Sequence, residues 1–250
     1  MTIFITLLTM GVLLLQAGVL VTALRGLTSA ARGLEVAAWC TALALLVANG
    51  VLADSLPFGN MRHVLCFFPL VLGPAACYMR RVRSVELSAC FAAVGMVAMV
   101  GALCMPMQAT WRQMPALQSP WFVPHVVSYV VAYGLLAVSA VQVLLSFSGA
   151  CGERLRAADE VVRLAFPCLT FGLWSGALWA DAAWARYWAW DIKEVWALIT
   201  WVIYLIYFHL PSPTPVWRRA LLMAGFAAVL ITFFVVNLLP DIVSVHSYAQ

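Results

Sequence analysis

The stretch Trp174–His209, WSGALWADAAWARYWAWDIKEVWALITWVIYLIYFH, carries seven of the eleven tryptophans in the chain. Its first half sets Asp181, Arg186, Asp191, Lys193 and Glu194 among Trp179, Trp184, Trp188 and Trp190, and is too polar to lie in hydrocarbon. Its second half is a membrane span. An ordinary aromatic belt supplies one or two rings per span end, whereas four tryptophans fall between Trp179 and Trp190. Rings edged by carboxylates at a membrane boundary suit a large flat amphiphile better than an ion or a sugar.

The rest of the chain agrees. A composition 65% hydrophobic and 10% charged over 250 residues, with a mean hydropathy of +0.98, excludes a soluble domain. Apolar runs fall near 2–24, 36–53, 63–79, 87–106, 125–147, 164–180, 195–210 and 220–239, each close to the ~20 residues that cross a bilayer core as a helix. The expected fold is an all-α polytopic membrane protein of about eight transmembrane helices with an outward-facing Trp-rich loop, residues 1–250 forming a single integral membrane domain. The seventh run is short and begins inside the Trp-rich stretch. The N-terminal run is too long for a signal peptide and lacks a basic start and a small-residue cleavage site, so it is read as a span.

Cytoplasmic loops are enriched in Lys and Arg. Ten basic residues follow odd-numbered spans (Arg25, Arg32, Arg80, Arg81, Arg83, Arg154, Arg156, Arg163, Arg218, Arg219), and four follow even-numbered ones (Arg62, Arg112, Arg186, Lys193). Both termini and the Trp-rich loop are therefore expected to face outward. This asymmetry accounts for the net charge of +4 without nucleic-acid binding. The seven cysteines are scattered, with no Cys-x-x-Cys pair, and read as small core residues.

Four histidines remain. His125 opens the fifth span at its outer end, and His246 lies in the outer tail. Each alone reads as a solvated interfacial side chain; two flanking a tryptophan platform read better as a pair of axial ligands, since neutral imidazole is the commonest protein ligand of haem iron. His209 lies nineteen residues beyond Trp190, ~28 Å as a helix. It cannot share an iron with His125 and His246: it either caps the span end beside Pro211 or serves a second, inner site. His63 is expected at the outer end of the third span, so an inner site needs a non-histidine partner or a histidine from another subunit.

The run Trp184-Ala-Arg-Tyr-Trp-Ala-Trp-Asp-Ile-Lys-Glu194, continuing through Trp196 and Trp201 to His209, resembles the tryptophan-rich WWD signature of the CcsA/ResC cytochrome c assembly proteins, which are related to CcmC and CcmF. Val236-Asn-Leu-Leu-Pro-Asp-Ile-Val-Ser-Val-His246-Ser-Tyr-Ala249 resembles that family's terminal segment. His125-Val-Val-Ser-Tyr-Val-Val-Ala-Tyr133 resembles its other outer histidine segment, and Leu56-Pro-Phe-Gly-Asn-Met61 resembles its loop before the third span. The resemblance runs from about residue 54 to the end. It implies a bacterial inner (plasma) or thylakoid-type membrane, and a WWD haem-binding segment at 179–196 that contacts the ring through Trp179, Trp184, Tyr187, Trp188, Trp190, Asp191 and Glu194. It also implies axial ligation of haem b, as cargo, by His125 and His246, and an inner site at His209 completed by a histidine of a CcsB/ResB-like membrane subunit. Its further implied partners are an apocytochrome c and a thioredoxin-like thiol reductant.

Three departures stand out: Ala185 replaces a usual Gly, Ile192 a usual Pro, and Arg62-His63 a common Tyr-Glu pair. Arg186 or Lys193 is expected either to meet a haem propionate or to be solvated, and Asp191 and Glu194 are expected to orient the loop more than to touch the ring. The expected activity is presentation of the haem vinyl groups to reduced cysteines of a Cys-x-x-Cys-His motif, as a subunit of a cytochrome c synthetase. The chain positions reactants, and the thioether chemistry belongs to vinyls and thiols. Two other readings share the motif: a HemX-like regulator of tetrapyrrole synthesis, and a transporter of another amphiphile.

Overall fold

The computed structural model describes residues 2–54, 56–82, 85–106, 115–211 and 214–235, and every regular element among them is helical. Among the described residues eight helices are long and apolar enough to cross a bilayer: α1 Thr2–Leu24, α2 Thr28–Ala53, α3 Met61–Val82, α4 Val85–Cys104, α5 Phe122–Leu145, α6 Cys151–Trp184, α7 Ile192–His209 and α8 Pro215–Leu230, the last continued by a π turn at Ile231–Val235. The expected all-helical polytopic membrane protein is the fold found. The chain divides into two compact units, Met1–Met114 and Pro115–Gln250.

In the first unit α1 packs on α2 and α4, and α3 on α4 and α2. Ile5, Thr9, Val12, Val19 and Ala23 form the buried stripe of α1, spaced as one helical face requires. Ile3, Leu14 and Val36 point away from the core and are exposed, as residues facing lipid are in a membrane helix. Pro74 in α3 has no N–H to give the carbonyl of Leu70 four residues back. The Trp39 indole of α2 fills the vacancy, donating to Leu70 O at 2.9 Å. Gly73 makes the approach possible, because a Cβ there would lie 2.5 Å from the Trp39 ring. Arg80 of α3 pairs with Glu35 of α2.

In the second unit α5 and α6 form the most extensive packed pair, α7 packs on α8, and α8 closes on α5. At 34 residues, or ~51 Å, α6 outruns a hydrocarbon core of ~30 Å. The expected sixth span, 164–180, is therefore only its middle. The helix begins in the basic segment after α5 and runs on through Trp184 into the Trp-rich stretch. Asp159 of α6 ties one end together, accepting from Arg218 of α8 and from the Tyr207 hydroxyl of α7. Arg219 adds bonds to Ser146 O at 2.7 Å and Ser146 Oγ at 2.9 Å. The end of α5, the start of α6, the end of α7 and the start of α8 thus share one end of the unit. The start of α5, the end of α6 and the start of α7 lie at the other.

Candidate functional site

His125 and Tyr129 stand one turn apart on α5, and Gly172 and Gly176 stand one turn apart on α6. Each pair shares a helix face by its four-residue spacing. The two faces meet. His125 Nδ1 lies 2.9 Å from the Gly172 carbonyl oxygen, and a Cβ built on Gly176 would come within 2.6 Å of that Nδ1. A Cβ on Gly172 would reach 3.0 Å from the Tyr129 ring. Small residues at i and i+4 let transmembrane backbones approach closely, and here the space they leave is filled by an imidazole and a phenol.

A carbonyl oxygen can only accept, so Nδ1 must donate to it. In the neutral ring the lone pair then sits on Nε2, the tautomer that can ligate a metal, with the Gly172 carbonyl in the orienting role such ligands require. The ring is fixed from its face too. It stacks on Trp179 with centroids 5.3 Å apart and planes 28° apart, and meets Tyr129 edge-on at 4.9 Å. Trp179 is buried; its indole donates to Ala116 O at 2.7 Å and packs on Phe122 and Trp184.

Beyond Trp184 the chain reverses. Ala185 takes a left-handed conformation, φ +55°, and its N–H closes α6 on Asp181 O at 2.8 Å. Trp190 is also left-handed, φ +58°, which is unusual for a bulky side chain and marks strain held by its surroundings. What holds it is a capping box. The Asp191 side chain accepts from Lys193 N at 3.2 Å, and Glu194 Oε2 accepts from Asp191 N at 3.1 Å and from Ala189 N at 2.8 Å. Both carboxylates are thus engaged with backbone, and Glu194 is buried. Between these anchors Tyr187 and Trp190 are exposed, Trp190 meeting Trp188 edge-on at 6.0 Å.

The tryptophan-rich loop expected over the first half of the stretch is mostly helix. Trp179 and Trp184 belong to α6, and the irregular turn is only 185–191. The reason lies in Ala-Leu-Trp-Ala-Asp-Ala-Ala-Trp, whose alanines favour helix and whose single charge gave no ground for ending one. Arg186 is exposed and Lys193 is half-buried in the first turn of α7. Trp201, deeper along α7, donates to Thr170 Oγ1 at 3.0 Å. His246, expected to pair with His125, lies outside the described residues.

His209 ends α7 at the opposite end of the unit, its Nδ1 2.8 Å from the carbonyl of Leu205 in its own helix. Beside it a cavity of about 320 Å3 is lined by Arg156, Asp159, Arg163, Tyr207, Phe208, Leu210 and Arg218. His63 lies in the other unit, buried at the start of α3. Among the described residues no three His, Cys, Asp or Glu side chains are grouped to hold a metal ion. The glycine pair facing His125 escaped the sequence reading, although the signal was present: Gly172-Leu-Trp-Ser-Gly176 is a small-x-x-x-small motif inside a span.

Helices of bilayer length define a multi-pass membrane protein, and one end of its second unit holds an oriented imidazole stacked on an indole. The chain belongs to the cytochrome c assembly protein family, whose family model matches residues 51–244. It is 36% identical to the cytochrome c biogenesis protein CcsA of Chlamydomonas reinhardtii over 159 residues, 57% of this chain and 44% of that one. It is 29% identical to CcsA of Gloeobacter violaceus over an alignment of 294 positions covering 86% of each chain. A shorter match, 46% identical over 93 residues, joins it to CcsA of Mesostigma viride and covers 36% of this chain and 30% of that one. The chain thus spans less than half the length of the Chlamydomonas and Mesostigma relatives.

Proposed function

We propose that the chain carries haem b as cargo and presents it for covalent attachment to an apocytochrome c, with the His125 end of the second unit on the outer side of the membrane. The observation that carries this reading is the His125 imidazole itself. Its Nδ1 donates to the Gly172 carbonyl at 2.9 Å and its ring is stacked on Trp179, which puts the lone pair of the neutral ring on Nε2, the nitrogen that would bind iron. His246 supplies the opposite axial ligand, and two imidazoles leave no open position for oxygen chemistry before hand-over.

Trp179, Trp184, Trp188, Trp190 and Tyr187 provide aromatic contact for the porphyrin. Arg186, exposed in the turn, and Lys193 beside it are the cations within reach of propionates. Asp191 and Glu194 shape the turn through the capping box. The segregation of basic residues supports the outward placement of the Trp segment and both termini. At the other end, His209 beside a cavity lined by Arg156, Arg163 and Arg218 suits an inner site for the same anionic ring, completed by a histidine of a CcsB/ResB-like subunit. The cysteines of the apocytochrome must be reduced to attack the vinyl groups, which calls for a thioredoxin-like thiol reductant. The substrate histidine would then displace one outer ligand.

The test is the absorption spectrum of the purified complex and cytochrome maturation in cells, for wild type, His125→Ala and His246→Ala. Each variant is expected to lose the low-spin bis-imidazole signature and most maturation. An unchanged low-spin spectrum with full maturation in both would overturn the assignment; His209→Ala tests the inner site in the same way.

A further inference from the structure

We infer that Arg62, at the start of α3 in the first unit, is the receptor of a carboxylate-binding site. The side chain is only 6% exposed. Its Nη1 donates to Ala102 O in the last turn of α4 at 2.9 Å and to Met105 O just beyond it at 3.3 Å, closing that helix end. Its Nε and Nη2 are buried and have no hydrogen-bond partner among the described residues. No carboxylate among the described residues pairs with it; the ion pairs found there are Arg80 with Glu35 and Arg218 with Asp159.

The two vacant nitrogens are not an arbitrary pair. Nε–H and Nη2–H point the same way along one edge of the guanidinium, and this edge is the fork that takes both oxygens of a carboxylate in parallel bonds. A protein that needed Arg62 only to cap α4 would expose the remaining donors to water. Here they are aimed into the protein, and a guanidinium cannot escape by losing its proton. A charge buried in a transmembrane helix without a counter-ion is costly enough to mark a site by default. Its neighbours in sequence, Phe58, Met61, Val64 and Leu65, are buried and apolar, which suits a carboxylate carried on an apolar body. His63 adds a second unpartnered buried atom, Nδ1, while its backbone N–H donates to Asn60 Oδ1 at 2.8 Å. Because the vacant nitrogens have no accessible surface, the ligand enters by displacing neighbouring chain. The site lies in the first unit and does not depend on the haem reading, which rests on His125 of the second.

The experiment uses the full chain in neutral-detergent micelles, with thermal unfolding followed while sodium hexanoate replaces sodium chloride at constant ionic strength. Wild type is expected to gain about 3 °C at a several-fold excess over the dissociation constant. Arg62→Lys, which keeps the charge and loses the fork, should gain less than half of that, and Arg62→Met nothing. An equal gain in Arg62→Met, no gain in wild type, or an equal or larger gain from hexyl phosphate overturns the proposal. Native mass spectrometry of the hexanoate-responsive protein separates the sources. A bound organic acid on wild type that is absent from Arg62→Met assigns the site to a small molecule. A hexanoate response without such a mass assigns it to an acidic side chain of another polypeptide.

Discussion

The imidazole of His125 owes its position to two residues that have no side chain. A methyl group at Gly176 meets Nδ1 at 2.6 Å, and the ring has nowhere to go, with Trp179 stacked on one face and Tyr129 at its edge. Gly176→Ala is therefore expected to cost about 1–3 kcal/mol, as overpacking of a tight contact does, and to weaken haem retention along with it. Chemical denaturation and haem content of the purified chain read the two effects. If the variant keeps both, the cradle does not position the ligand. Trp179→Phe keeps a ring against His125 but leaves the Ala116 carbonyl without its donor at 2.7 Å. The expected loss is about 1 kcal/mol, since the acceptor is only part-buried, read by the same denaturation. Sequence showed His125 as a candidate because of its place at a span end; what it packs against depends on α6, forty-seven residues away.

The turn between α6 and α7 carries left-handed backbone at Ala185 as well as at Trp190. Ala185 holds φ +55°, a conformation that costs an L-residue about 1–2 kcal/mol and glycine almost nothing. Ile192 is the first residue of α7, after an Asp191 with φ −61° and ψ 151°, which is the backbone that the residue before a proline adopts. Proline is favoured at that first helical position. Ala185→Gly and Ile192→Pro are each expected to stabilise the chain by about 0.5–1 kcal/mol, raising the thermal midpoint roughly additively; a fall in either would mean the turn is set by something else. Glu194→Ala removes the acceptor of two backbone N–H groups. It should cost about 1–2 kcal/mol and raise hydrogen exchange at Ala189 and Asp191 before it affects α7 as a whole. The capping box was readable in Asp191-Ile-Lys-Glu194. The extension of α6 through Trp184 was not, because polarity in a sequence marks a loop, while alanine propensity and the packing of Trp179 on α5 carry the helix onward.

Across the whole chain the basic residues sort by helix end. In the second unit Arg154, Arg156, Arg163, Arg218 and Arg219 gather where α5 ends and α6 begins, and only Arg186 and Lys193 lie at the His125 end. The segregation predicts sidedness. A membrane-impermeant maleimide applied to intact cells should label Ala189→Cys, in the exposed turn, and should label Ser148→Cys, between α5 and α6, only after permeabilisation. The reverse pattern would invert the topology and remove the outer site with it.

Membrane residence, the number of spans and the family were legible without coordinates, because each rests on composition, run length or a local motif, properties that the order of residues fixes in any fold. The cradle of Gly172 and Gly176 around His125, the burial of Arg62 with no counter-ion among the described residues and the joining of α6, α7 and α8 at Asp159 were not. Each depends on residues far apart in the chain meeting across helices, and interhelical contact follows from how whole helix faces pack, which no single stretch encodes.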